Sequence, residues 1–303
     1  MRSVLTGATR LSYAADSLAG LSVGDALGAQ YFMVGRKVSD LMQGIVPPPV
    51  WEWTDDTEMA CSVFWMLGQE GRIDPDRLAH AFADRCEPNR GYGYGAFMIL
   101  RQVREGVPWE DAAAQAFDGQ GSCGNGAAMR VAPVGAYFAG EPAKAAVQAA
   151  LSAKVTHAHP EGVAGAIAVA VATSYAVAGR MAAAKPKPGP FLDAVVESIP
   201  DGQVAKYVRA ARRMLHVPVE EAAHLLGNGS QVTAQDTVPF TLWAAARWLN
   251  DYPAAIRACV QAGGDVDTTC AIVGGIVAGF TGTSGIPESW IASREPLPAW
   301  STA

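Results

Sequence analysis

The fold is decided by residues 263–280, which read GGDVDTTCAIVGGIVAGF. The two leading glycines permit a tight turn in which the backbone comes close to a ligand. The run from Thr268 to Phe280 is free of charged residues and predicts an apolar helix. Asp265 and Asp267 therefore stand where that predicted helix begins. This one stretch therefore predicts both a helix of the fold and a candidate site, because two carboxylates lie close together at the start of the helix.

Helical patterns recur along the rest of the chain. Asp74-Pro75-Asp76 is typical of a helix start, since Asp caps free N–H groups and Pro suits the first turn. Another helix start is predicted at Trp109. Further helices are predicted over residues 11–28, 59–69, 141–152, 159–177, 204–215, 219–226, 238–249 and 252–261. Alternating strand patterns are nearly absent, so the sequence predicts an all-α fold.

The Pro-rich stretch 185–190 (KPKPGP) is predicted to be a stiff, non-helical surface loop. Acidic blocks lie on both sides of this stretch, and they can share a site only if the two halves pack together. We therefore expect one domain over residues 1–303 rather than two.

Composition restricts location and partners. The chain of 303 residues carries a formal charge of −6, which disfavours a broad nucleic-acid-binding face. Five cysteines without C-x-x-C spacing predict reduced thiols in a cytoplasmic protein, and the first residues lack the apolar segment of a signal peptide. Residues 163–178 are apolar but shorter than the roughly 20 needed to span a bilayer. They predict a core helix, so no membrane partner is expected.

A second acidic block, Thr54-Asp55-Asp56, precedes the predicted helix 59–69. Adjacent aspartates repel unless a cation lies between them or both are solvated. Taken alone, the block also suits simple N-capping of that helix. The similar block at Asp265 and Asp267 favours a shared site, and oxygen ligands favour Mg²⁺, Mn²⁺ or Ca²⁺ over zinc.

Five short motifs follow one another along the chain: GLSVGDALG at 20–28, WTDDT at 53–57, GSCGNGAAMR at 121–130, TH at 156–157 and GDVDT at 264–268. In this order they resemble the ADP-ribosylglycohydrolase family, which includes dinitrogenase-reductase-activating glycohydrolases and ADP-ribosyl-acceptor hydrolases. The resemblance covers nearly the whole chain.

The resemblance implies an all-α hydrolase that cleaves the bond between C1″ of ADP-ribose and an acceptor, with two Mg²⁺ or Mn²⁺ ions. Its partner would be ADP-ribose or an ADP-ribosylated macromolecule. The implied metal ligands are Thr54, Asp55, Asp56, Asp265, Asp267 and Thr268. Asp55, Asp56 and Asp267 are also the expected catalytic residues. The ions would orient ribose hydroxyls and a water, and Asp55 or Asp56 would accept the water proton.

Several other residues are expected to contact the substrate. The small residues Gly121, Ser122, Cys123, Gly124 and Asn125 would bring backbone N–H groups to a diphosphate, although an ordinary Gly-rich turn has the same composition.

Two ring side chains are further candidates. His157 is expected near the diphosphate and ribose, with a capping or core histidine as the alternative. Tyr92 or Tyr94, in the segment 87–95 (EPNRGYGYG), would stack on a base from a mobile loop, with a surface turn as the alternative. Two charged residues have supporting roles: Asp25 would orient the metal ligands, and Arg130 would pair with Asp25 or another carboxylate.

One position departs from the family pattern. Many members have a glutamate four residues after the last glycine of the opening motif, where this chain has Phe32. The acceptor is therefore left open by the sequence. Two alternatives to an ADP-ribosyl hydrolase also stay open: a relative that binds ADP-ribose or a nucleotide without cleaving it, and a hydrolase of another ribosyl compound.

Overall fold

The computed structural model describes residues 5–302. Within that range there is no β-strand, and the predicted all-α fold is confirmed. The helices are α1 (Gly7–Phe32), α2 (Val38–Met42), α3 (Asp55–Glu70), α4 (Pro75–Arg85), α5 (Tyr94–Arg104), α6 (Trp109–Gln115), α7 (Gly126–Met129), α8 (Ala132–Tyr137), α9 (Pro142–Lys154), α10 (Pro160–Met181), α11 (Pro188–Val196), α12 (Gln203–Arg213), α13 (Val219–Leu226), α14 (Ala234–Arg247), α15 (Tyr252–Ala262), α16 (Val266–Thr281) and α17 (Glu288–Ser293).

The helices α1 and α16 form the centre of the fold, and glycines set how closely they approach. A Cβ atom added at Gly20 would lie 2.2 Å from the Ala278 Cβ. One added at Gly24 would lie 2.2 Å from the Cys270 carbonyl oxygen. These glycines are four residues apart, so they share one face of α1. The backbones of the two helices therefore meet directly along this face.

The helix α10 packs beside this central pair. Among residues 5–302 it alone is long and apolar enough to cross a membrane, and 78% of its apolar window is buried inside the fold. That burial agrees with the core helix predicted for residues 163–178. One main apolar cluster includes side chains from both sides of the Pro-rich stretch, such as Leu21 and Trp243. The expectation of one domain over residues 1–303 stays a prediction, and its ends, residues 1–4 and 303, lie outside the described part.

Two local predictions were wrong. The stretch 185–190 was expected to be non-helical, but α11 begins at Pro188. Proline fits the first turn because the N–H that it lacks would have no intrahelical partner there. The segment 87–95 was expected to be a loop, but it contains a short 3₁₀ turn, Pro88–Arg90, and the start of α5.

We predict that replacing Gly24 with alanine destabilises the protein, because the new methyl group would enter the α16 backbone at Cys270. Overpacking of this kind costs about 1–3 kcal/mol of unfolding free energy. The measurement is chemical denaturation followed by circular dichroism. Gly68→Ala in α3 is the matched control, since its Cβ would meet only Leu11 methyl groups at 3.9 Å. We expect the control to be neutral or slightly stabilising, and equal stability of the two variants would contradict the close α1–α16 approach.

Candidate metal centre and adjoining cavity

The first acidic block is held by Asp25 of α1. Asp25 accepts hydrogen bonds from the backbone N–H and the hydroxyl of both Thr54 and Thr57, at 2.5–3.2 Å. Thr54 in turn caps α3 by accepting from the Asp56 N–H at 3.3 Å. Asp55 and Asp56 are therefore fixed in the first turn of α3. Asp25 therefore lies behind the acidic block and positions it, in agreement with the orienting role that the sequence predicted.

The second acidic block lies at the start of α16, against α1. A Cβ atom at Gly28 would be 2.7 Å from the Asp267 Cα, so this position admits no side chain. Asp265 accepts a hydrogen bond from the Asn125 side-chain amide at 2.7 Å. The Thr268 hydroxyl lies 3.5 Å from Asp56 Oδ1. The structure thus brings the two predicted blocks together, although 212 positions separate these two residues.

Burial and mutual repulsion make this cluster electrostatically unfavourable. Burial, followed by the Asp25 charge, raises the pKa of Asp55 to about 8. Burial and neighbouring carboxylates also raise the pKa values of Asp56 and Asp267 well above their usual range. Asp25 is affected less: burial raises its pKa to about 6 while its four hydrogen bonds oppose the shift. A cation among these groups would favour their charged forms.

The donor set fits a hard divalent ion. One buried carboxylate oxygen from each block, Asp56 Oδ2 and Asp267 Oδ1, has no hydrogen-bond partner. Within residues 5–302, however, no three His, Cys, Asp or Glu side chains form a group with the geometry of an ion site. The two unpaired carboxylate oxygens, in a cluster whose donors are all oxygen atoms, are the groups that a bound ion would contact. The number of ions stays a prediction.

The cluster lines one end of a cavity of about 690 Å³, a size typical of small-molecule sites. The predicted site residues in its wall are Asp55, Asp56, Gly121, Ser122, Cys123, Gly124, Asn125, His157, Asp265, Asp267 and Thr268. Two predicted residues, Thr54 and Tyr92, are outside this lining. Thr54 lies behind it because its hydroxyl is engaged by Asp25.

The loop 121–126 and His157 form a second wall of the cavity. A Cβ atom at Gly126 would lie 2.9 Å from the His157 ring, and one at Gly124 would lie 3.2 Å from His157 Nε2. The glycines therefore allow the ring to pack against the loop. Burial, followed by the Arg130 charge, lowers the pKa of His157 to about 3. His157 is thus neutral, and any contact that it makes with an anion is a hydrogen bond rather than an ion pair.

Asn125 joins this loop to the acidic cluster. Its side-chain amide donates to Asp265 and, at 3.1 Å, to the Thr237 hydroxyl. Its backbone N–H donates to the Val232 carbonyl at 3.1 Å. These contacts make Asn125 an anchor of the loop.

Arg130 does not form the carboxylate pair that was predicted. It is fully buried, with its guanidinium 4.5 Å from the Phe82 ring centroid. It donates to the Ser152 carbonyl at 2.8 Å, and its Nε has no partner. Burial lowers the pKa of Arg130 to about 9. The side chain acts as an enclosed positive charge beside the cavity, supported by an aromatic ring and backbone rather than by Asp25.

Tyr92 also differs from its prediction. Its hydroxyl donates to Glu58 Oε2 at 2.6 Å, and the ring lies outside the cavity lining. The segment around it is tied down by Arg90, which pairs with both Glu295 oxygens at 2.8 and 3.0 Å. Arg90 also stacks 3.4 Å from the Trp53 ring centroid. These contacts explain why the expected mobile loop is anchored; Tyr94, not Tyr92, reaches the cavity.

Two apolar residues of the cavity wall were missed by sequence reasoning. Phe117 and Val232 have left-handed backbones, with φ of 53° and 55°. Such φ values are strained for bulky or β-branched residues, and strain of this kind concentrates at functional sites. Both side chains are exposed into the cavity mouth. The sequence carries no signal for them, since valine gives no indication of positive φ.

Phe32 lies at the same mouth, one helical turn beyond Gly28 on α1. It belongs to the cavity lining and remains 53% exposed. The position where many family members have a glutamate therefore presents an aromatic ring beside the acidic cluster.

The known proteins that are similar to this chain indicate one family. The family model for ADP-ribosylglycohydrolase matches residues 6–301. The ADP-ribosylhydrolase ARH3 of Homo sapiens is 30% identical, over 95% of this chain and 91% of its own. ARH3 of Gallus gallus is 29% identical, over 92% and 88%.

A solved structure, titled ADP-ribosylglycohydrolase-related protein complex, has a TM-score of 0.67 at 25% identity and covers 97% of this chain and 96% of its own. The family match spans nearly the whole chain and includes both acidic blocks and the glycine loop between them. The chain therefore belongs to the ADP-ribosylglycohydrolase family.

Proposed function

We propose that the protein hydrolyses the bond between C1″ of ADP-ribose and an acceptor. The observation that carries this proposal is one cavity with the acidic cluster at one end and the glycine loop 121–126 along its wall. A ribose would occupy the end of the cavity beside the carboxylates, and a diphosphate would lie along the glycine loop. Phe117 and Val232 offer apolar faces to a purine ring. Membership of a hydrolase family supports cleavage over binding alone.

The metal ligands in this proposal are Thr54, Asp55, Asp56, Asp265, Asp267 and Thr268. Bound Mg²⁺ or Mn²⁺ would supply Lewis acidity that orients ribose hydroxyls and makes a water more acidic. Two ions are proposed because six residues at two helix starts carry side-chain oxygens. Five of these residues line the cavity, and the sixth, Thr54, lies behind it with its hydroxyl donating to Asp25.

The protein's own groups hold and move protons in this scheme. Asp25 keeps Thr54 and the first turn of α3 in place through its four hydrogen bonds. Asp55 or Asp56 accepts the proton of the attacking water as general base while the bond from C1″ to the acceptor breaks, and the departing acceptor takes up a proton in turn. Asn125 fixes Asp265 and the loop as one unit. His157, neutral and packed on the loop, offers a hydrogen bond to the diphosphate or ribose.

We also propose a cytoplasmic location. All five cysteines are free thiols, four of them buried, and burial raises the pKa of Cys61 to about 12. Unpaired thiols are typical of a reducing compartment.

The activity prediction concerns Asp56. We expect Asp56→Asn to lower kcat for ADP-ribose release by about 10²–10⁴-fold, as for loss of a general base or its support. The variant should stay folded, because the substitution removes a repelling charge from the cluster. The measurement is release of ADP-ribose from ADP-ribosylated arginine and serine peptides and from ADP-ribosylated oligonucleotides, with Mn²⁺, Mg²⁺ or EDTA.

Asp201→Asn is the matched control, since the Asp201 side chain is exposed and pairs with Arg209 on the surface. It should cleave at the wild-type rate. Wild-type cleavage by Asp56→Asn would exclude the proposed role. Tight binding of ADP-ribose with no release from any substrate would instead favour a binding protein, and release only from simple ribosides would favour another ribosyl hydrolase.

A second prediction concerns the stability of the metal-free protein. The pKa of Asp55 is raised from 3.8 to about 8, so between these pH values the folded state binds more protons than the unfolded state. Stability should therefore fall as the pH rises from about 4 to 8. Mn²⁺ or Mg²⁺ competes with these protons, so either metal should raise Tm more at the upper pH than at the lower. At the upper pH, a hundredfold excess of metal over Kd should raise Tm by about 5 °C.

The measurement is thermal unfolding with EDTA or with metal across this range. In Asp56→Asn, both the pH dependence and the metal-induced rise in Tm should be smaller, whereas Asp201→Asn should match the wild type. Identical melting with EDTA and with either metal near neutral pH would argue against a metal centre, whatever the activity of the protein.

A further inference from the structure

Exposed apolar side chains are concentrated in one segment beside the cavity, residues 32–50, here called the rim segment. Of the 13 exposed large hydrophobic residues within the described range, seven lie in it, among them Phe32, Met33, Val34, Ile45 and Val50. Scattered exposed hydrophobics are ordinary, but seven within one short segment make that segment a candidate interaction surface. The other side chains of this segment offer few charges: Arg36, Lys37 and Asp40.

The rim segment is held in place, so its apolar side chains are presented by an ordered backbone. Leu41 is fully buried and anchors α2 to the core. After the segment, Trp51 is also buried; its backbone donates to the Ser293 carbonyl at 2.7 Å and accepts from Glu295 at 2.8 Å. Between these anchors the Ile45 N–H donates to the Asp40 carbonyl at 2.9 Å.

The rim segment is continuous with the cavity through Phe32. Phe32 is at once the first residue of the segment and part of the cavity lining, together with Asp55 and Asp56. Any group joined to a ribose at the acidic cluster would leave the cavity past this ring if it leaves on the α1 side. On that path the group would next meet the other side chains of the rim segment.

We propose that the rim segment binds the polypeptide that carries the ADP-ribose, and that it selects modified residues flanked by apolar side chains. This inference rests on the proposed function, since it places the acceptor next to the ribose. A nucleic-acid acceptor is disfavoured, because Arg36 and Lys37 are the only basic residues in the segment and a backbone footprint needs several.

The test compares two fluorescent peptides that share one ADP-ribosylated serine and differ only in its flanking residues, Leu and Val in one and Ser and Gly in the other. An equivalent pair carries ADP-ribosylated arginine. Kd is measured by anisotropy in the Asp56→Asn background, where the probe persists, and kcat/KM is measured with the wild-type protein. We expect the apolar peptide of at least one pair to bind about tenfold more tightly than its polar partner.

The variant that tests the surface is Met33→Ser/Ile45→Ser, in which the two side chains are 59% and 58% exposed. It should lose most of the tenfold preference while the polar peptides bind as before. The control is Val147→Ser/Met181→Ser, with exposures of 59% and 45% and both residues outside the cavity lining. Circular dichroism checks that both variants are folded.

Several outcomes would overturn the proposal: equal affinity for the two peptides of each pair, a preference that survives Met33→Ser/Ile45→Ser, or tighter binding of an ADP-ribosylated oligonucleotide or of anionic vesicles. A wild-type dimer that Met33→Ser/Ile45→Ser converts to a monomer in sedimentation would assign the surface to a second copy and would also overturn it. A preference that is lost in that variant supports the rim segment even if no ADP-ribose is released, and in that case the hydrolase proposal alone fails.

Discussion

The direct contact between the backbones of α1 and α16 is the constraint on which the site depends. Gly20, Gly24 and Gly28 leave no room for a side chain between these helices, and this fixes where Asp267 lies along α1. The residue after Gly24, Asp25, faces α3 and holds its first turn through four hydrogen bonds. A single helix thus determines the positions of both acidic blocks relative to each other.

This geometry gathers negative charge where the surroundings compensate it poorly. Burial raises the pKa values of Asp55, Asp56 and Asp267, and the nearby Arg130 is enclosed without an ion pair. Such an arrangement costs folding free energy, and it persists because the surrounding helices over-determine it. The strained backbones at Phe117 and Val232 belong to the same cavity. The electrostatic cost of the carboxylates and the strain of the two backbones thus occur at the same cavity. This combination is typical of a site that is shaped by ligand binding rather than by stability.

Sequence reasoning found the parts of the site whose signals are local. Two aspartates before an apolar run, or glycines around Asn125, are visible in a few consecutive residues. The long helices were also predicted from sequence patterns, whereas α2, α5, α7, α8, α11 and α17 were not predicted. It failed where distant contacts decide the outcome. The segment around Tyr92 is ordered by Arg90, whose partner Glu295 lies 205 positions away. Arg130 was assigned a carboxylate partner because charge suggests one, whereas the structure gives it the Phe82 ring and a backbone carbonyl. No local pattern reports a valine at positive φ.

The glycine face of α1 also implies how this enzyme scaffold can diverge. At Gly28 any side chain would enter the backbone of α16, whereas one turn later Phe32 is half exposed at the cavity mouth. Tolerance to substitution therefore changes from nearly none to high within four residues of the same helix. A lineage can exchange the residue at the cavity mouth without moving the carboxylates. Under the proposed function, new acceptors would then be accessible by point mutation while the acidic cluster is inherited unchanged.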